Sequence, residues 1–167
     1  MDDIDVKHYL SRIGVDAGNL VPEVELLRLL QRQHLLTVPF ENLDIHWKRP
    51  IVLDTDSFFA KIVGEKRGGF CYELNGLFSE LLKKIGFQTK LVSARVFAGE
   101  KGFGPEFDHA AIIVTIDALE YLADVGFGDF AAEPLRFAVD LEQQDREGVF
   151  IIRHSDDGYF EVAKKYG

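Results

Sequence analysis

Arg67-Gly68-Gly69-Phe70-Cys71-Tyr72-Glu73-Leu74-Asn75 marks the point where the chain's pattern is set. From here Leu74, Leu77, Phe78, Leu81, Leu82 and Ile85 recur at spacings of three and four. That is one apolar stripe on a helix opened by Cys71 and stopped by Gly86. Upstream the periods are also helical. Val6, Tyr9, Leu10 and Ile13 predict a helix over Asp5 to Ile13, ended by Gly14. Val24, Leu27, Leu30 and His34 predict a second, starting near Pro22 and stopped by Pro39. A short one fits Ser57 to Val63, and Val38 to Ile45 has no clear period.

Downstream the period changes to strands. Lys90–Phe97, Ala110–Ile116, Tyr121–Val125, Val149–Arg153 and Tyr159–Val162 are rich in β-branched and aromatic residues. Ser155-Asp156-Asp157-Gly158 is a hairpin signal between the last two. The expectation is an α+β chain: a helical domain over residues 1–86 and an antiparallel β domain over residues 87–167. The last strand runs out at Lys164-Lys165-Tyr166-Gly167 without a closing element, an open edge that a sheet ordinarily covers.

At 167 residues, with 47% hydrophobic and 28% charged, the chain can bury a core. No apolar run approaches a membrane span, and the acidic start Met1-Asp2-Asp3-Ile4-Asp5 is no signal peptide. A net charge of -9 argues against nucleic acid and anionic membranes as partners. A single cysteine excludes an internal disulfide and a multi-cysteine zinc site, and no metal is expected. The chain reads as cytoplasmic.

Cys71 is then the residue to explain. A thiol at a helix N-terminus feels the positive end of the macrodipole, which favours the thiolate. Gly68 and Gly69 allow a tight approach and leave room for a substrate near the sulfur. A buried core cysteine is the competing reading. A nucleophile needs a base and the base an orienting group. Of five histidines, His8 and His34 sit in amphipathic helices, His46 in an irregular segment and His154 beside a hairpin turn. His109 opens an apolar strand, where a polar ring needs a partner. With the following turn centred on Asp117-Ala118, Asp124 faces Ala111 and becomes the diagonal neighbour of His109. A turn one residue later breaks that contact.

Val38-Pro39-Phe40-Glu41-Asn42-Leu43, the Arg67 to Asn75 segment, His109 and Asp124-Val125-Gly126-Phe127-Gly128 together resemble the arylamine N-acetyltransferases. The resemblance covers essentially the whole chain. It implies a Cys71-His109-Asp124 triad on a cysteine-proteinase-like core. It also implies a ping-pong transfer of acetyl from acetyl-CoA to arylamines and hydrazines, part of xenobiotic metabolism, through an acetyl-cysteine thioester. The implied fold is a helical domain, a β-barrel domain and a third α/β lid. Against that plan the barrel is expected to be incomplete and the lid absent, with activity impaired.

The resemblance also places Phe40, Val96 and Phe127 around the acceptor, with core packing as the alternative for each. Gly102, Phe103, Gly104 and Gly128 fall near the coenzyme; their loop lacks P-loop spacing. Arg67 is expected to bridge Glu41 and Asn42. A thioester or ester hydrolase, an amide synthase on the same triad, or a non-catalytic remnant are the alternative readings.

Overall fold

The computed structural model describes residues 3–165. Met1, Asp2, Tyr166 and Gly167, part of the acidic start and of the chain's last segment in the sequence reading, lie outside the described residues. Helices α1 (Asp3–Arg12), α2 (Val24–Thr37), α3 (Leu43–His46), α4 (Thr55–Phe59) and α5 (Cys71–Ile85) come first. The strands β1 (Gln88–Ala94), β2 (His109–Ile116), β3 (Leu119–Ala123), β4 (Leu135–Arg136), β5 (Gln143–Asp145), β6 (Gly148–His154) and β7 (Phe160–Lys165) follow. Among the described residues no helix is long and apolar enough to cross a membrane.

The α+β class holds, but the strands do not close into a barrel. They form two open antiparallel sheets, β1-β2-β3-β4 and β5-β6-β7. A parallel bridge between Val139 and Ile152 connects the segment after β4 to β6. The sequence reading missed β4, β5 and α3, which are too short to show a period. The helix expected over Ser57 to Val63 is α4 running into a π-turn over Ala60–Gly64.

One core joins the two halves. Tyr9, Leu10, Leu27, Leu30 and the α5 stripe bury against Ile112, Val114, Ala123 and Val125. The other face of β2 and β3, through Ala111 and Leu122, packs with Leu135 and Phe150 of the two sheets. Covered on both faces, β2 reads as a nearly continuous apolar run rather than an alternating one. Within this core His34 and Tyr9 are fully buried, and neither His34 ring nitrogen nor the Tyr9 hydroxyl has a hydrogen-bond partner among the described residues.

The β2–β3 register follows from the two-residue turn. Asp117 and Ala118 both take left-handed conformations, φ 49° and 62°, as a type I′ hairpin turn requires. Ile116 therefore faces Leu119 and Ile112 faces Ala123. One step beyond the last pair, Asp124 falls opposite Ala111.

Candidate active site

Cys71 is the first residue of α5 and is 8% exposed. The start of α5 is held by Glu73 in its first turn, whose Oε2 accepts the Phe70 N–H at 3.0 Å. The segment before it is locked from the other side. Gly69 pairs in parallel with Phe40, Glu41 N–H donates to Gly69 O at 2.9 Å, and Gly69 N–H donates to Pro39 O at 3.3 Å. A Cβ on Gly68 would sit 1.9 Å from Pro39 O. The glycine space is thus taken by the Pro39–Glu41 backbone and by Glu73, and not by a substrate.

His109 lies at the start of β2 and Asp124 just past β3; both are buried. His109 Nε2–H donates to Asp124 Oδ2 at 2.6 Å. That leaves Nδ1 as the ring nitrogen available to the Cys71 sulfur. Burial works against the imidazolium, but the bonds to Asp124 and Cys71 and their charges outweigh it, and the His109 pKa is pushed up to about 9. Asp124 Oδ1 accepts the Asn75 side-chain N–H and the Gly126 N–H, both at 2.8 Å. The Asp124 N–H donates to Gln31 Oε1 at 3.3 Å, which ties α2 to the site.

Phe127 stands edge-on to His109, ring centroids 5.2 Å apart, and is 41% exposed. Phe40, 49% exposed, flanks Gly69 through its bridge. Val96, Gly102, Phe103 and Gly104 form their own small hairpin. Gly104 N–H donates to Val96 O at 2.8 Å, and Phe97 bridges Phe103. Arg95 holds this hairpin by donating to Gly104 O at 3.0 Å. Gly128, at φ +96°, turns the chain after Phe127.

The sequence reading did not see the apolar cleft of about 210 Å³ lined by Tyr72, Leu91, Val92, Ser93, Phe107 and Ala110. Its walls include the neighbours of Cys71 and His109 in the chain. Tyr72 Oη donates to Phe107 O at 2.6 Å and closes one side of it. No single sequence periodicity flags these residues, since they come from a helix start, an edge strand, the start of β2 and a loop.

Arg67 donates to Glu41 Oε1 at 2.7 Å, as expected, but its second partner is Asp44 Oδ1 at 3.0 Å. Asn42 is exposed, and α3 brings Asp44 round instead. Lys61, unforeseen, completes the cluster: the π-turn carries its Nζ to 2.8 Å from Glu73 Oε2 and 2.9 Å from Asp44 Oδ2. Among the described residues no group of three or more His, Cys, Asp or Glu side chains could hold a metal ion.

The sequence and the fold have counterparts among known proteins. The N-acetyltransferase family model matches residues 23–166. An arylamine N-acetyltransferase of Escherichia coli is 34% identical over 154 residues, 91% of this chain and 54% of that one. A proansamycin X synthase of Amycolatopsis mediterranei is 33% identical over 86% of this chain and 56% of its own. Among solved structures, an arylamine N-acetyltransferase of Salmonella typhimurium superposes at a TM-score of 0.90 with 31% identity, over 99% of this chain and 60% of that one. The chain spans about half the length of the curated relatives it matches. With its match running from the second helix to the last strand, the chain belongs to the arylamine N-acetyltransferase family.

Proposed function

We propose that this chain carries the acyl-transfer centre of an arylamine N-acetyltransferase, with Cys71 as nucleophile, His109 as base and Asp124 as its orienting group. The observation that carries the reading is the buried line from the Cys71 helix start through His109 to Asp124, with its 2.6 Å hydrogen bond. A protonated imidazole beside a thiol, held on its far side by Asp124, is the arrangement that a cysteine nucleophile and its acid–base partner require.

In the first half-reaction the Cys71 sulfur attacks the acetyl carbonyl of acetyl-CoA. First-turn N–H groups of α5, which have no partner within the helix, suit the developing oxyanion. The C–S bond to coenzyme A breaks, and His109 delivers its proton to the departing thiolate. In the second, an arylamine or arylhydrazine nitrogen attacks the acetyl-cysteine. His109 takes the nitrogen's proton as the Cys71 thiolate leaves. Arylamines are largely unprotonated at pH 7, so no stronger activation is needed.

Phe40 and Phe127 supply exposed aromatic surface beside Gly69 and His109 for the acceptor ring, and Val96 belongs with the neighbouring hairpin. Gly102, Phe103, Gly104 and Gly128 are the coenzyme-side candidates. These residues are exposed or half-exposed, and Gly102 and Gly128 take positive φ; since the Gly102 and Gly104 N–H groups are bonded to Gly99 O and Val96 O, the surface they offer is that of the turn and of the Phe103 ring. Residues 1–86 and 87–167 are the two domains of this reading, and a location in the cytoplasm goes with it.

Mass spectrometry of the protein mixed with acetyl-CoA tests the centre directly. An acetyl group on Cys71 that an added arylamine discharges to the acetylated amine is the expected result. Discharge to acetate at the same rate with and without amine makes the chain a hydrolase. An unmodified Cys71 sinks the proposal.

A further inference from the structure

Asn75 stands one helical turn after Cys71 on the buried face of α5, fully buried. Its side chain has no solvent contact, and all its bonds go to the β half of the chain. Nδ2 donates to Ala110 O at 2.6 Å and to Asp124 Oδ1 at 2.8 Å. Oδ1 accepts the Val125 N–H at 2.9 Å. One side chain therefore grips the residue after His109, the carboxylate of Asp124 and the residue after Asp124. Only Asn offers two donors and an acceptor at this reach; a carboxylate of the same shape lacks the donors.

Resting on the acyl-transfer reading above, we infer that Asn75 is a positioning residue: it aims the Asp124 carboxylate so that Oδ2 is presented to His109 on the side away from Cys71. Nδ2 and the Gly126 N–H occupy Oδ1, which leaves Oδ2 for the imidazole. Because Asn75 rides on the helix that Cys71 opens, the nucleophile and the anchor of the orienting group share one rigid element. Neither can drift from the other without breaking three buried bonds. A mere packing role would need none of this polarity.

The test compares the pH dependence of Cys71 alkylation by iodoacetamide, with melting temperatures, in the parent, Asn75→Ala, Asn75→Asp and Ser79→Ala. Ser79 lies one turn further along α5 and shares its buried hydroxyl bond with Thr89 at 2.9 Å. It reports what losing a buried bond in the same helix costs by itself. The parent should alkylate rapidly well below the ordinary thiol range of about 8.5, and His109→Gln should abolish that acidic limb.

Asn75→Ala should lower the acidic limb at least about tenfold, in line with the orienting effects known at catalytic triads. Ser79→Ala should lose melting temperature and keep the limb. Asn75→Asp sets two carboxylates against each other, so the pair should hold one proton in acid. It should then approach parent reactivity at low pH and lose it as that proton leaves. An Asn75→Ala limb equal to that of Ser79→Ala overturns the inference while the triad reading stands. If Asn75→Ala does not fold, the Asn75→Asp profile decides: a parent-shaped curve overturns the inference. A parent without an acidic limb overturns the triad reading and the inference with it.

Discussion

Asp124 lies across the β2–β3 hairpin from Ala111, two residues from His109, and that diagonal brings Asp124 Oδ2 to 2.6 Å from His109 Nε2. The pair is 15 residues apart in sequence and is set by a two-residue turn. Backbone register alone would leave about 7–8 Å between diagonal neighbours. The side chains close the gap, and Asn75 and Gly126 hold the carboxylate in place. The consequences can be measured one residue at a time.

The His109 pKa, raised to about 9 from 6.5, makes a pH-dependent contribution to stability. Between these values the folded state binds more protons than the unfolded one, so stability falls as pH rises. The contribution is whole below about 6.5 and is lost through about 9, on the order of 3 kcal/mol. Thermal melts from pH 6 to 10 should show this slope in the parent and a flatter one in His109→Gln. Equal slopes would place the proton elsewhere.

His34 predicts the opposite limb. Complete burial, aided by the positive charge of Arg12, drives its pKa down to about 3, and among the described residues its ring has no hydrogen-bond partner. The unfolded chain binds the proton near 6.5 and the folded one does not, so stability falls as pH drops from about 6.5 toward 3. The loss is on the order of several kcal/mol. His34→Phe, seated between Tyr9 and Phe78, should melt higher than the parent at pH 5 and lose part of the acid slope. A variant that melts lower at pH 5 would show that the buried ring has a polar partner.

Besides its N–H bond to Asp124, Gly126 fits the site by shape. A Cβ there would lie 2.7 Å from Cys71 Cα and 3.0 Å from Asn75 Nδ2. Gly126→Ala must push the segment after Asp124 off α5. We expect a cost of about 1–3 kcal/mol, as for other overpacked sites, and slower Cys71 alkylation. Parent-like alkylation with parent-like melting would mean that the backbone yields there freely.

Lys61 is the cation at the centre of Glu41, Asp44 and Glu73, and burial is outweighed by these carboxylates so that its pKa is raised. Lys61→Met leaves Glu73 without its cation at the start of the Cys71 helix. Breaking such a buried pair costs about 3–5 kcal/mol. Chemical denaturation should show a loss of that order. A loss below about 1 kcal/mol would class the cluster with solvated surface pairs.

Much of this was already written in the sequence because it is local. The α5 stripe, the stop at Gly86, the change of period after it and the turn at Asp117-Ala118 each depend on neighbours a few residues away. The β2–β3 register was open between two turn placements, and the structure takes the one that lets His109 and Asp124 meet. Other features depend on which surfaces meet, and periodicity carries no such information. The second partner of Arg67 became Asp44 because a single turn of helix rotates it inward. Lys61 reaches Glu73 because a π-turn shifts its direction, and the tight glycines serve backbone contact with Pro39 instead of substrate space. The strands made two open sheets because the pairing of β4 through β7 is settled by packing on Phe150 and Leu135, residues whose partners lie far away in sequence. Asn75 stood in the quoted motif with no role. Only docking of the β half onto α5 brought Ala110, Asp124 and Val125 within its reach, and a buried amide is worth its place only where all its bonds are met.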